Sequence, residues 1–359
     1  MVRRRRRAGT RVLAESHLPS ALPSADPAWP EFVCPRCRTP VERDSAAWRC
    51  HRCRSVFPEL YGIADFRLEP DPWIGIEEDR EKARRLIEST PDATFDDTVR
   101  AYWDMTASTP RAQALRFIEA VQAAEQRTIE WLALPEHFAL QDARSAHPRS
   151  STGCGTGELL AVLATRGVPA IGIDVAMRWL VQARRRGPLR DGRQLLVCCN
   201  AEFLPFAAGT VGAVTSLGML EHCRAAGAVL RDAHRVLRAG GSLHMRTVNR
   251  FGVLPEPHVG VWGVGFVPRR YADAYVRWAN GQRYLHHRPV SAPELRRALA
   301  GAGFSDGRVT AAALLSSDMQ RLPRSVQSLG AVYARLRRLP AVGRMMSLLA
   351  PLLDAYAHV

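Results

Sequence analysis

Lysine is nearly missing from this 359-residue chain: Lys82 is the only one, so a formal net charge of +15 rests on arginine. A basic excess of that size ordinarily marks a polyanion partner, nucleic acid or an anionic membrane surface. So lopsided a use of arginine resembles GC-rich coding bias as much as a binding face, which weakens that inference. Also missing is any apolar run near the roughly 18 residues needed to span a bilayer. The most apolar stretch, Met345 to Leu353, is short and is broken by Pro351. The arginine run Arg3 to Arg7 has no apolar segment behind it and does not read as a secretory signal. These absences point to a soluble, cytoplasmic protein. In a reducing compartment its eight cysteines do not form a disulfide framework.

What is present divides the chain. With 47% hydrophobic residues it can bury a full α/β core and carry a small appendage. Residues 1–31 lack periodicity and read as a disordered basic tail and linker. Residues 32–68 read as a compact module, closed by the break Glu69-Pro70-Asp71-Pro72-Trp73. From 74 to 134, apolar residues at three- and four-residue spacing predict a helical lid or brace. Strand and helix patterns then alternate: strand 168–174, helix 177–186, strands 194–199 and 211–217, helix 224–238, strand 242–248. That order predicts an α/β fold, a mostly parallel Rossmann-like sheet with helices on both faces. The adjacent Cys198 and Cys199 sit on one of these strands and read as core.

A Gly-, Pro- and aromatic-rich loop follows at 249–268, long enough to be functional. Helices are expected at 269–279 and at 292–302, the second capped by Ser291 with Pro293 in its first turn. A strand near 307–315 comes next, and 321–359 reads as a basic, amphipathic helical extension offering peripheral membrane contact. Oligomeric state is left open.

Two constellations carry chemistry. Cys34 and Cys37, then twelve residues, then Cys50 and Cys53 place two thiolates on each of two tight knuckles. Four sulfurs close a tetrahedral site that suits a structural Zn²⁺ and leaves no open position for catalysis. His51, inside the second knuckle, reads as an exposed turn residue. The other constellation is Gly153-Cys154-Gly155-Thr156-Gly157, running into an apolar helix. Alternate glycines let backbone approach a ligand where a Cβ would collide. Asp174 follows 17 positions beyond Gly157, at the end of an apolar run, where a carboxylate can accept from two ribose hydroxyls.

From Gly153 onward the chain resembles class I S-adenosylmethionine-dependent methyltransferases of the small-molecule group. Gly153, Cys154, Gly155 and Gly157 match the loop that passes the methionine part of the cofactor, and Asp174 matches the ribose acid. Asn200, Ala201 and Glu202 match the segment whose first side chain bonds the adenine amino group. The run Ser216-Leu217-Gly218-Met219-Leu220-Glu221-His222 matches the end of the fourth strand, and Gly240-Gly241 the turn into the fifth. The cysteine module resembles the zinc-binding activator domain of certain methyltransferases. These resemblances imply a methyltransferase domain over 135–320, S-adenosylmethionine as cofactor and a structural Zn²⁺. The acceptor they imply is a small or lipid-linked metabolite, methylated by direct displacement. A sulfonium cofactor carries an activated methyl group, so the protein must chiefly align a nucleophile, exclude water and remove a proton. His222 is the candidate general base; Tyr102, His258, Trp262 and Arg269 are candidate substrate residues.

Residues 141–152 depart from the family. A buried first strand ending in an acid belongs there, but Arg144, His147, Pro148 and Arg149 interrupt it and Ser151 takes the acid's place. Nothing in the segment reads as a strand, which leaves either a short out-of-frame segment or a degenerate strand that weakens cofactor binding and impairs activity. Val211-Gly212 replaces the family's Phe-Asp. Two alternatives remain open: an RNA methyltransferase gripping phosphates with the zinc module and arginine tail, and a non-catalytic methyltransferase-like binding protein.

Overall fold

A computed structural model of the chain describes residues 29–106, 109, 111–143, 145, 147–189, 194–320 and 324–359. The arginine run of the tail and Arg144 lie outside the described residues. Eleven strands are found among the described residues: β1 (Glu42–Arg43), β2 (Ala47–Arg49), β3 (Val56–Leu60), β4 (Ile63–Asp65), β5 (Arg149–Thr152), β6 (Ala170–Asp174), β7 (Leu195–Cys198), β8 (Val211–Leu217), β9 (Leu237–Val248), β10 (Arg308–Ala311) and β11 (Leu352–His358). They form one sheet in the order β1-β2-β3-β4-β7-β6-β5-β8-β9-β11-β10. Strands β4 to β9 run parallel, whereas β11 is antiparallel to both β9 and β10.

The helices are α1 (Ile76–Ser89), α2 (Phe95–Asp104), α3 (Arg111–Gln122), α4 (Ala124–Leu132), α5 (Glu158–Thr165), α6 (Met177–Ala183), α7 (Ala226–Val236), α8 (Ala272–Asn280), α9 (Ala292–Gly301), α10 (Ser316–Met319), α11 (Arg324–Leu336) and α12 (Pro340–Leu349). Two apolar layers sandwich the sheet. On one face Leu86, Leu132, Leu160 and Leu180 from α1, α4, α5 and α6 are fully buried. On the other, Leu230 and Val236 of α7 and Leu295 and Leu299 of α9 belong to one buried cluster with Ile171 and Ile173 of β6. Strands covered on both faces read as near-continuous apolar runs, as AIGID in β6 and LLVC in β7 do. The Ser291 cap forms as expected, a reciprocal box with Glu294.

Three expectations need correction. First, Arg149–Thr152 is a strand, hydrogen-bonded in parallel to β6 and β8. Its polar residues are satisfied locally: Ser150 Oγ meets Thr152 Oγ1 at 3.1 Å, and the Arg149 guanidinium donates to the carbonyls of His147, Ala139 and Asp142. Pro148 precedes the strand and removes no donor from the ladder, while its carbonyl accepts from Gly212 N at 3.0 Å. Gly212 is needed there, because a Cβ would lie 3.1 Å from the His147 carbonyl.

Second, the carboxyl end is not wholly helical. After α11 and α12 it returns as β11 and fills the interior between β9 and β10. Asp354 on β11 faces Arg246 on β9 in register, and the two make a buried bidentate ion pair at 2.7 and 2.8 Å. Alternating Leu353, Ala355 and Ala357 is too short and too mixed a run to read as a strand without those neighbours. Third, the cysteine module does not stop at residue 68 as a separate body. Strand β4 adds to the sheet edge beside β7, and Phe32, Trp48, Phe57 and Phe66 cluster with Phe206 of the main body. Among the described residues, no helix is long and apolar enough to cross a membrane.

Candidate active site

At the carboxyl edge of the parallel strands, the turn from β5 into α5 is made by three glycines with positive φ: Gly153 at 73°, Gly155 at 50° and Gly157 at 80°. They are needed for different reasons. A Cβ on Gly153 would stand 2.4 Å from Met219, and one on Gly157 would stand 2.9 Å from Ala183, so both are packed. Gly155 faces open space, with nothing within 4 Å, and its N–H donates to the Asp174 carboxylate at 2.8 Å. That carboxylate, on the last residue of β6, also accepts from Ala176 N at 2.9 Å. Burial pushes it up to about 6 despite those two donors.

The glycine turn opens on a cleft of about 250 Å³. Thr152, Gly153, Ile173 and Asp174 form its floor, Asn200, Ala201 and Glu202 one side, and Met219, His222, Cys223 and Arg224 the other. Its roof is Glu69, Pro70, Pro72 and Trp73, the segment that reads in the sequence as a mere break. A buried ion network holds this roof. Arg67 bridges Asp65 and Asp79 at 2.7 Å each, and Arg178 bridges Asp79 at 2.6 Å and Asp71 at 2.7 Å. Asp79 accepts in addition from Met177 N at 2.8 Å, tying the network to the loop that follows Asp174.

On the far wall, Glu221 and His222 lie in a short 3-10 turn after β8. Glu221 is buried, accepts from Thr247 Oγ1 at 2.7 Å, and receives Arg288 N on its carbonyl at 2.6 Å, so it braces the turn. Desolvation raises its carboxyl above the usual range. His222 meets Trp73, His258 and His287, with ring centroids 5.3, 4.8 and 5.2 Å away. Burial lowers His222 to about 4 and keeps it neutral near pH 7. His258 is raised: burial opposes its charge, but Glu256 Oε1 at 2.6 Å from Nδ1 outweighs it.

Residues 151–245 match the methyltransferase domain family. Residues 151–245 thus carry a methyltransferase domain. Over 156 residues the chain is 30% identical to a ubiquinone biosynthesis O-methyltransferase of Idiomarina loihiensis, covering 43% of this chain and 60% of that one. A protein of the same name from Pseudomonas paraeruginosa is 37% identical over 102 residues, covering 27% and 43%. The chain thus spans 43 to 60% of the length of these curated relatives. An S-adenosylmethionine-dependent methyltransferase structure from Mesorhizobium loti aligns at 20% identity and a TM-score of 0.43, covering 64% of this chain and 97% of that one.

The methyltransferase domain gathers only some of the residues expected from the sequence. Gly153, Asp174, Ala201, Glu202 and His222 line the cleft. Cys154 is buried beneath the loop, Gly157 packs on α6, and Leu217 joins the apolar layer on the α5 face. Asn200 lines the cleft, but both lone-pair directions of its Oδ1 are taken by the Leu68 and Glu69 N–H groups, at 2.9 and 3.1 Å. That oxygen therefore clamps the roof and does not accept from an adenine amino group.

Tyr102 is buried against Trp179 with centroids 4.6 Å apart, outside the cleft lining. Trp262 is exposed and donates to the Val253 carbonyl, and Arg269 pairs with Glu294 at 3.0 Å, so neither reaches the cleft. Of the expected loop residues, His258 alone lies against a lining residue, its ring centroid 4.8 Å from that of His222. Trp73, which lines the cleft, and His287, whose ring centroid lies 5.2 Å from that of His222, were missed; the available signals were a tryptophan beside two prolines and the His286-His287 doublet after α8.

Away from the cleft, Cys34, Cys37, Cys50 and Cys53 bring their sulfurs within 4.8 Å of one another. The closest pairs are Cys34 with Cys53 at 3.5 Å and Cys37 with Cys50 at 3.4 Å. Each knuckle closes the same way: Arg38 N donates to the Cys34 carbonyl, Arg54 N to that of Cys50, and both arginines have positive φ. His51 points away and pairs with Glu42 at 2.9 Å.

Proposed function

We propose that the chain methylates an oxygen, nitrogen or carbon of a small or lipid-linked metabolite, with a hydroxyl oxygen favoured. The observation that carries this reading is a single cleft lined by Gly153, Asp174 and His222, with the Asp174 carboxylate held by the N–H of Gly155, whose Cβ position faces open space. The named activity of the two O-methyltransferase relatives supports an oxygen acceptor. When bound, S-adenosylmethionine supplies an activated methyl group on a sulfonium sulfur. Asp174 accepts hydrogen bonds from its ribose hydroxyls, and the glycine turn lets backbone lie against its methionine part. The Pro70–Trp73 roof excludes water, which favours displacement over hydrolysis. His222, neutral near pH 7, accepts the proton that the acceptor hydroxyl releases.

The four cysteines fit a structural Zn²⁺. Their closest sulfur separations lie near the edge of about 3.8 Å expected for a tetrahedron with Zn–S bonds of about 2.3 Å. Thiolate ligation of this kind fits a cytoplasmic location. Methyl transfer is tested by incubating the purified full-length protein with methyl-labelled cofactor and fractionated metabolite and lipid extracts. Label should enter a hydroxylated acceptor. Cofactor binding without label in any fraction would sink the enzymatic reading and leave a binding protein.

A further inference from the structure

His222, His258 and His287 come from three separate segments, the turn after β8, the loop before α8 and the segment after α8. Each nevertheless offers one imidazole nitrogen within 4.8 Å of the other two. Two further observations point to a ligand. The Nδ1 atoms of His222 and His287 are buried with no hydrogen-bond partner, a loss that buried polar atoms rarely sustain. And His258 Nδ1 is held at 2.6 Å by Glu256, whose other oxygen accepts from the backbone N–H groups of His258 and Val259 at 2.9 and 3.1 Å. A carboxylate on one imidazole nitrogen fixes the ring and leaves Nε2 to coordinate, the usual support for a metal-binding histidine.

We propose that His222, His258 and His287 form a second metal site, a three-histidine centre for a divalent first-row ion such as Zn²⁺, with its fourth position open to an acceptor oxygen. Three imidazoles and an open position make a reactive centre, unlike the closed four-cysteine set. His222 lines both the cleft and an adjoining hollow with Pro70, Pro72 and Arg224, so one ligand of the ion faces the cleft. The rings of His258 and His287 now stack with centroids 4.3 Å apart and planes 21° apart, so their in-plane lone pairs run nearly parallel. Loading the ion rotates His287 out of that stack.

The acceptor role rests on the methyl-transfer reading; the site itself does not. In that role the ion lowers the pKa of a bound hydroxyl, whose proton leaves to water, and His222 acts as ligand in place of base. The oxygen pair forms the O–CH₃ bond, the S–CH₃ bond breaks, and its electron pair stays on sulfur.

The test uses full-length protein equilibrated with Zn²⁺ or Co²⁺, freed of excess metal. Metal analysis should find about two ions per wild-type chain and about one in H258A/H287A, the four-cysteine site accounting for the remainder. With Co²⁺, the histidine variant should lose visible bands that lack thiolate charge-transfer character and keep those of the cysteine site. Glu256→Gln preserves all three ligands and should weaken the second site about 10- to 100-fold. One ion per wild-type chain, or cobalt spectra identical in wild type and H258A/H287A, overturns the proposal. Two ions with no methyl transfer would instead leave the metal site standing and remove its acceptor role.

Discussion

Asp174 and Gly155 are the residues on which cofactor binding should turn, and each has a distinct signature. Burial raises the Asp174 carboxyl from 3.8 to about 6. Because its folded value lies above its unfolded one, the cofactor-free protein loses stability from this group as pH rises from about 4 to about 6. Ribose hydroxyls donate to the charged form, so cofactor affinity should rise over the same window and level off above pH 7. Calorimetry from pH 5 to 8 checks this, and Asp174→Asn should flatten the profile and weaken binding by about 1.5–3 kcal/mol. At Gly155 a Cβ meets no protein atom, but φ is +50°. Gly155→Ala should therefore cost about 1–2 kcal/mol of stability and weaken cofactor binding further, read by melting and titration together. Gly153→Ala, driven into Met219, should instead fail chiefly in folding.

At the scale of elements, β5 and β11 were the strands hidden in the sequence. Both carry polar or charged residues in buried positions, and β5, at four residues, is too short for a periodic pattern to reveal. Arg149 is tolerable only because three carbonyls 2, 7 and 10 residues upstream converge on it, and Asp354 only because Arg246 lies opposite it, 108 positions away. By contrast β6, β8 and the cap of α9 were legible, since contiguous apolar runs and local turn chemistry specify them. Removing the β11 carboxylate leaves the Arg246 guanidinium buried and unpaired. Asp354→Ala should cost about 3–5 kcal/mol, seen as a lower urea midpoint, and leave residual cofactor binding at low temperature little changed because no residue of β9 or β11 lines the cleft.

For the whole molecule, the cysteine module and the methyltransferase domain act as one folded unit. The module's β4 extends the sheet, and its linker roofs the cleft, held by Asn200 and by the arginine and aspartate network around Arg67. Stripping the Zn²⁺ proposed for the four-cysteine site should therefore do more than loosen a surface domain. After treatment with a strong zinc chelator, limited proteolysis should cut within 32–68, and cofactor affinity should fall at least 10-fold. Unchanged affinity after proven loss of that zinc would show that the roof stands without the module.

The sequence by itself determined the glycine turn, the carboxylate that ends β6, the four-cysteine spacing and the alternation of strands and helices. Each of these depends on residues near one another in the chain, where turn sterics, helix periodicity and ligand bite act directly. Tertiary structure alone decided the two polar strands, the conversion of Glu69–Trp73 from linker to roof, the use of Asn200 as a clamp, and the meeting of His222, His258 and His287. Those outcomes depend on burial and on partners tens to hundreds of residues apart, which satisfy charges and polar atoms that local spacing would leave exposed.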